Sequence, residues 1–111
     1  MKILRLTRHK VTEAQINELH RIYGDIEIIQ ISENVPTAAR IQELIAEHSA
    51  DVLEAVLPLT LIADYFKPGG ITVPLIRAVM DRHVATGEDR TTFTFSHYER
   101  ILKVEVHTER L

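Results

Sequence analysis

Lys2-Ile3-Leu4-Arg5-Leu6-Thr7-Arg8-His9-Lys10-Val11-Thr12-Glu13-Ala14-Gln15-Ile16 reads as a strand that hands over to a helix. Residues 2–7 form the strand. Thr12 and Gln15 then make a helix-start signal, because a threonine cap and a glutamine three residues later can each satisfy the other's free backbone N–H. Val11 before the cap and Ile16 after it have the spacing of a hydrophobic staple. Ile16, Leu19, Ile22 and Tyr23 recur at helical spacing. Gly24 ends the helix, since it is free to adopt a left-handed backbone.

The same alternation continues outward. Residues 26–31 predict a second strand and 32–36 a loop. Thr37 caps a helix over 37–48 with Ile41, Leu44 and Ile45 as its buried stripe. A third strand follows at 51–57. Pro58 suits the first turn of a short helix running to about residue 66, and 68–70 form a turn. A fourth strand, 75–80, is entered through Pro74. Residues 84–89 read as a polar connection. Thr91–Phe95 alternates, with Phe93 and Phe95 on one face, and Leu102, Val104 and Val106 alternate with Lys103, Glu105 and His107. These are two half-exposed strands with 96–100 between them. Strand and helix thus alternate through short links. The expected fold is a single α/β, Rossmann-like domain over 1–111, with a mostly parallel sheet, helices on both faces and a C-terminal antiparallel hairpin or edge strand.

Composition narrows the chemistry. The chain has 111 residues, 45% hydrophobic and 26% charged, which suits one core. No apolar run approaches the roughly 20 residues of a membrane span, and Lys2 and Arg5 come too early for a signal peptide, so a cytoplasmic protein without membrane contact is expected. The absence of cysteine excludes disulfides, thiolate zinc sites and cysteine nucleophiles. Glycines at 24, 69, 70 and 87 form neither a dinucleotide fingerprint nor a phosphate-binding P-loop. The six histidines show no ligand spacing, so no metal and no cofactor are expected. Ser32, Ser49 and Ser96 lack a nucleophile-elbow context. Aromatic residues at 5%, without tryptophan, argue against a stacking platform for single strands.

The net charge of −3 hides a segregation: residues 1–10 carry +4, residues 11–66 carry −8 and residues 67–111 carry +1. A basic first element beside acidic helices suits a local anion site, not a face for long DNA or RNA duplexes.

Parallel sheets bind ligands beyond the carboxyl ends of their strands. The loops in question are 8–11, 32–37, 58–60 and 81–83. In the first, free amides at a helix start favour an anion, Arg8 and Lys10 add positive charge, and Thr7 and Thr12 flank them. His9 can donate to a phosphate or act as general acid or base. Thr12 and Gln15 are also fully explained by capping. Asn34 and Thr60 are candidate ribose, base or phosphate contacts, although an Asn commonly shapes a turn and a Thr a helix end. Arg82 and His83 could meet a second phosphate; His97 and Arg100 are weaker candidates. Arg5, Glu54 and Arg77 interrupt apolar strands and must pair, reach an edge or meet a subunit, because a lone buried charge is prohibitive.

The run Ile3 to Val11, with Thr12-x-x-Gln15, resembles the opening of small CRISPR-associated proteins of the Csx type, in which a hydrophobic strand ends in Ser/Thr-x-His before a Leu/Val-Thr-x-x-Gln helix start. Some of these are ring nucleases. The resemblance implies a metal-independent enzyme, often a homodimer, that binds and cleaves a cyclic oligoadenylate of a type III CRISPR system, with cyclic tetra-adenylate the expected ring. It gives His9 and Arg8 as catalytic residues, while the loops beyond the strand ends give Thr7, Lys10, Thr12, Asn34, Thr60 and Arg82 as the expected ligand contacts. The alternative is a Rossmann-like protein that binds or senses a nucleotide without cutting it, or that only dimerises.

Overall fold

The computed structural model describes residues 1–35, 37–67, 69, 72–84, 91–103 and 108–111. Its elements are β1 (Lys2–Leu6), α1 (Glu13–Tyr23), β2 (Glu27–Ile31), α2 (Ala38–His48), β3 (Val52–Ala55), α3 (Leu59–Tyr65), β4 (Leu75–Val84) and β5 (Thr91–Ile101). They form one five-stranded sheet in the order β2-β1-β3-β4-β5. The first four strands are parallel, and β5 runs antiparallel to β4.

Period-two alternation in β1 sends its residues to opposite faces. Leu4 and Leu6 pack with Ile41, Leu44 and Ile45 of α2 and with Leu61, Ile62 and Tyr65 of α3. Ile3 packs the other way, with Leu19 of α1, Val52 and Ile76. Helices therefore cover both faces: α2 and α3 on one, α1 on the other. Burying a leucine or isoleucine of this kind stabilises the fold by roughly 1.5–3 kcal/mol.

The helix starts follow the sequence signals. Thr12 Oγ1 accepts from the Gln15 N–H at 3.2 Å, and Gln15 Oε1 accepts from the Thr12 N–H at 3.0 Å. Thr37 caps α2 by accepting from the Arg40 N–H at 3.2 Å. Gly24 ends α1 with φ of 77°, a conformation that is costly with a side chain.

The C-terminal strands differ from expectation. The fourth strand does not stop at residue 80: Asp81, Arg82 and His83 continue β4 and are not a loop. Residues 96–100 are not a break either, because β5 runs through them. Among the described residues, Leu75 and Ile76 of β4 pair with β3, and beyond them β4 pairs with β5 alone. This two-stranded arm is largely solvated, so polar residues occupy it and the apolar alternation that marks a buried strand fades. The strand read at 102–106 is not continued in Leu102 and Lys103, which are irregular, and its remaining residues, 104–107, lie outside the described ones. So do residues 68 and 70 of the predicted turn and 85–89 of the polar connection.

A β-bulge interrupts the arm. Val79 faces His97, but Met80 faces Phe95, so Ser96 is the extra residue. The bulge flips the alternation of β5 and brings Tyr98 onto the face of Phe95, with ring centroids 5.0 Å apart.

Candidate site at the carboxyl edge of the sheet

The chain leaves β1 toward β2 and then crosses back to β3 on the other side. The direction of winding therefore reverses between β1 and β3, the position where open α/β sheets form a crevice. A cavity of about 380 Å³ opens there. The end of β1 and the start of α1 contribute Arg5, Thr7, His9 and Gln15; β3 contributes Glu54 and Ala55, with Val56 just beyond its end; the arm contributes Ala78, Met80 and Phe93.

The floor is a buried polar network. Gln30, Arg5 and Glu54 are register partners on β2, β1 and β3. Arg5 Nε donates to Glu54 Oε2 at 3.1 Å, and the two side chains are only 4% and 7% exposed. The same guanidinium donates to Gln15 Oε1 at 3.3 Å, to Gln30 Oε1 at 3.2 Å and to the His9 carbonyl. Gln30 Nε2 donates to the carbonyls of Thr7 at 3.2 Å and His9 at 3.0 Å. The Tyr98 hydroxyl donates to Glu54 Oε1 at 3.0 Å. Burial, with the neighbouring Glu54 charge, pushes the Tyr98 phenol well above its ordinary pKa. Arg5 and Glu54 thus satisfy each other, as charges inside a sheet must. Arg77 takes the other route: it lies half exposed and pairs with Glu99 at 3.2 Å.

This network fixes the loop that follows β1. Thr7 Oγ1 accepts the His9 N–H at 3.2 Å, which tightens the turn further. The His9 side chain remains exposed at the rim of the cavity. Arg8 and Lys10 are exposed beside it and form no ion pair among the described residues.

The other expected contacts are distributed differently. Asn34 and Thr60 line a second hollow, of about 390 Å³, with Glu33, Pro58 and Leu61. Val56, 85% exposed, lines both hollows and stands between them. Arg40 binds Glu33 at 2.7 and 2.9 Å and holds its carboxyl below the usual carboxylate range. Thr12 lines neither hollow, and its oxygen serves the cap. Arg82 projects from β4 in register with Phe93 and lines neither hollow, while His83 Nε2 lies 2.8 Å from Thr94 Oγ1. Arg100 lies in β5 and, like Arg77, lines a third, shallower hollow. Ser96, His97 and Glu99 form an exposed chain, with 2.8 Å from Ser96 Oγ to His97 Nδ1 and 3.2 Å from His97 Nε2 to Glu99 Oε1. None of these three lines the cavity at the sheet edge, and the arrangement is a solvated ladder.

Gln30 and Tyr98 belong to the site beside the expected residues. Gln30 did carry a signal, as a polar residue inside the apolar run 26–31. Tyr98 carried none, since its inward face depends on the bulge. Among the described residues no three His, Asp or Glu side chains are grouped to hold a metal ion, and no helix is long and apolar enough to cross a membrane.

Comparison with known proteins gives no family model, no curated protein and no solved structure that matches the chain.

Proposed function

We propose that this chain is a Rossmann-like nucleotide-binding protein of the cytoplasm, and that its ligand is a cyclic oligoadenylate that it cleaves without metal. The nucleotide class rests on the cavity at the switch point, with two cations on the adjoining loop, Arg8 and Lys10, that form no ion pair among the described residues. The choice of a cyclic oligoadenylate, tetra-adenylate first, rests on the resemblance of residues 3–15 to the Csx-type opening. The observation that carries the reading is the placement of His9: an exposed imidazole at the cavity rim, on a loop whose carbonyl is gripped from below by Arg5 and Gln30. A pinned backbone with a free side chain suits a group that must meet one phosphate in a defined geometry.

The reaction that fits is transesterification within the ligand. A ribose 2′-hydroxyl attacks its neighbouring phosphorus, the bond from phosphorus to the 5′-oxygen breaks, and a 2′,3′-cyclic phosphate and a 5′-hydroxyl result. The proton of the 2′-hydroxyl is released and the leaving 5′-oxygen gains one. His9 supplies the latter or orients the attacking hydroxyl. Arg8 and Lys10 offset charge building on the phosphoryl oxygens. Asn34 and Thr60 contact the part of the ring that passes over Val56 into the second hollow. A homodimer places two such loops around a symmetric ring. Apolar Val56, Met80 and Phe93, exposed around the cavity, support a partner or ligand covering that edge.

Incubation with cyclic tetra-adenylate in EDTA, with products read by mass, tests the reading. Linear products ending in a cyclic phosphate are expected. Intact ring after prolonged incubation removes the catalytic part, and absence of binding removes the whole.

A further inference from the structure

The cavity floor holds a hydrogen-bond donor that the fold does not use. Gln15 Oε1 accepts from the Thr12 N–H and from Arg5, so its two donors fix which way round the amide lies. Nε2 is the group left over. The residue is only 5% exposed, it lines the cavity, and its Nε2 has no hydrogen-bond partner among the described residues. Nε2 is not sealed from solvent: it opens into the cavity, where a ligand acceptor can take the place of water.

Glu54 lies next to it. Gln15 and Glu54 are bound to the same Arg5 guanidinium, so a donor and an anionic acceptor stand side by side on the floor. Each Glu54 oxygen takes one internal hydrogen bond, from Arg5 or from Tyr98, and a carboxylate oxygen can accept another. Above them the walls are aliphatic or aromatic: Val56, Ala78, Met80 and Phe93. We propose that this cavity is a nucleobase subsite, in which Gln15 donates to a ring nitrogen and Glu54 accepts from the adjacent exocyclic amino group of an adenine.

The chemistry separates base from phosphate. A base edge presents a donor beside an acceptor, the complement of Glu54 beside Gln15. Its flat faces suit apolar walls. A phosphate does not suit this floor, because the Arg5 charge is matched by Glu54 and a second anion would meet the carboxylate. The phosphate belongs outside the cavity, by Arg8 and Lys10. This assignment rests on the nucleotide reading but not on cleavage.

The test uses the whole chain and two probes, adenosine and ribose 5-phosphate, each at millimolar concentration. The side-chain amide of Gln15 is followed by NMR. Adenosine is expected to shift that resonance, and ribose 5-phosphate to leave it in place. Gln15→Glu keeps the capping box and the acceptor for Arg5 but removes the donor; adenosine affinity should fall about tenfold or more. Ala78→Leu fills the slot without touching the polar floor and should weaken adenosine comparably. Adenosine that leaves the amide unmoved, or that binds both variants as well as the native chain, overturns the assignment; so does ribose 5-phosphate moving the amide as adenosine does. Adenosine bound as expected while cyclic tetra-adenylate is not cut leaves the base pocket standing without the nuclease. Ring cleavage with an unmoved Gln15 amide does the reverse.

Discussion

Arg5 and Glu54 face each other on adjacent parallel strands and join at 3.1 Å, both buried, directly beneath the loop that carries His9. A polar pair at this depth costs desolvation that its own attraction only partly offsets. Here the guanidinium also holds the His9 carbonyl and the capping glutamine, so one buried cation ties the sheet to the loop and the helix start.

Breaking the pair on one side should therefore be costly. Arg5→Met alone or Glu54→Leu alone is expected to lower unfolding free energy by about 3–5 kcal/mol, because each leaves an uncompensated buried charge. The double variant should recover the part of that loss due to the uncompensated charge, but not the part due to the hydrogen bonds of Gln15, Gln30, His9 and Tyr98. Urea denaturation of the four proteins checks this, and a double variant as unstable as the worse single one contradicts it.

Tyr98 gives a prediction in pH. All three tyrosines, Tyr23, Tyr65 and Tyr98, are held above their ordinary pKa, chiefly by burial. The folded state thus keeps phenolic protons that the unfolded chain releases near pH 10. Their contribution is complete below about pH 10 and is lost as pH rises beyond it. Tyr98→Phe should cost about 1 kcal/mol at neutral pH through the lost bond to Glu54, and should make the alkaline decline shallower. Denaturant midpoints at pH 8 and pH 10.5 measure both effects.

A third stability prediction concerns Tyr65, whose hydroxyl donates to the Val73 carbonyl at 2.6 Å and accepts from the Val73 N–H at 2.9 Å. One side chain satisfies both backbone groups just before β4. Tyr65→Phe leaves both without that partner and should cost about 1–3 kcal/mol. Faster amide exchange at Val73 is the accompanying sign.

At the site, His9→Ala should bind cyclic tetra-adenylate with near-native affinity and cut it at least about 100-fold more slowly. Single-turnover assays with saturating protein separate the two quantities. Unchanged turnover takes His9 out of the mechanism.

Much of this was legible beforehand because it is local. The capping box at Thr12 and Gln15, the cap at Thr37 and the stop at Gly24 are short-range chemistry, and the pairing demanded by Arg5 and Glu54 follows from burying charge in a strand. The arm was not legible, because Asp81, Arg82 and His83 have no core to face and so carry no period. The division of the expected contacts was also hidden. Asn34 and Thr60 fall on the far side of Val56 from His9, and only the sheet order decides that. Thr12 Oγ1 accepts the cap bond, and Arg82 lies within β4 opposite Phe93 and not in a loop.

The central claim is that the carboxyl edge of this sheet holds a nucleotide. Its most direct test is the melting temperature with and without saturating cyclic tetra-adenylate, for the native chain and for Arg8→Ala/Lys10→Ala. A ligand present at about 100 times its dissociation constant stabilises by about 2.7 kcal/mol, which for a chain of this size is a rise of about 10 °C. That rise is expected for the native chain and should shrink markedly in the double variant; an unmoved melting temperature in the native chain would contradict the account.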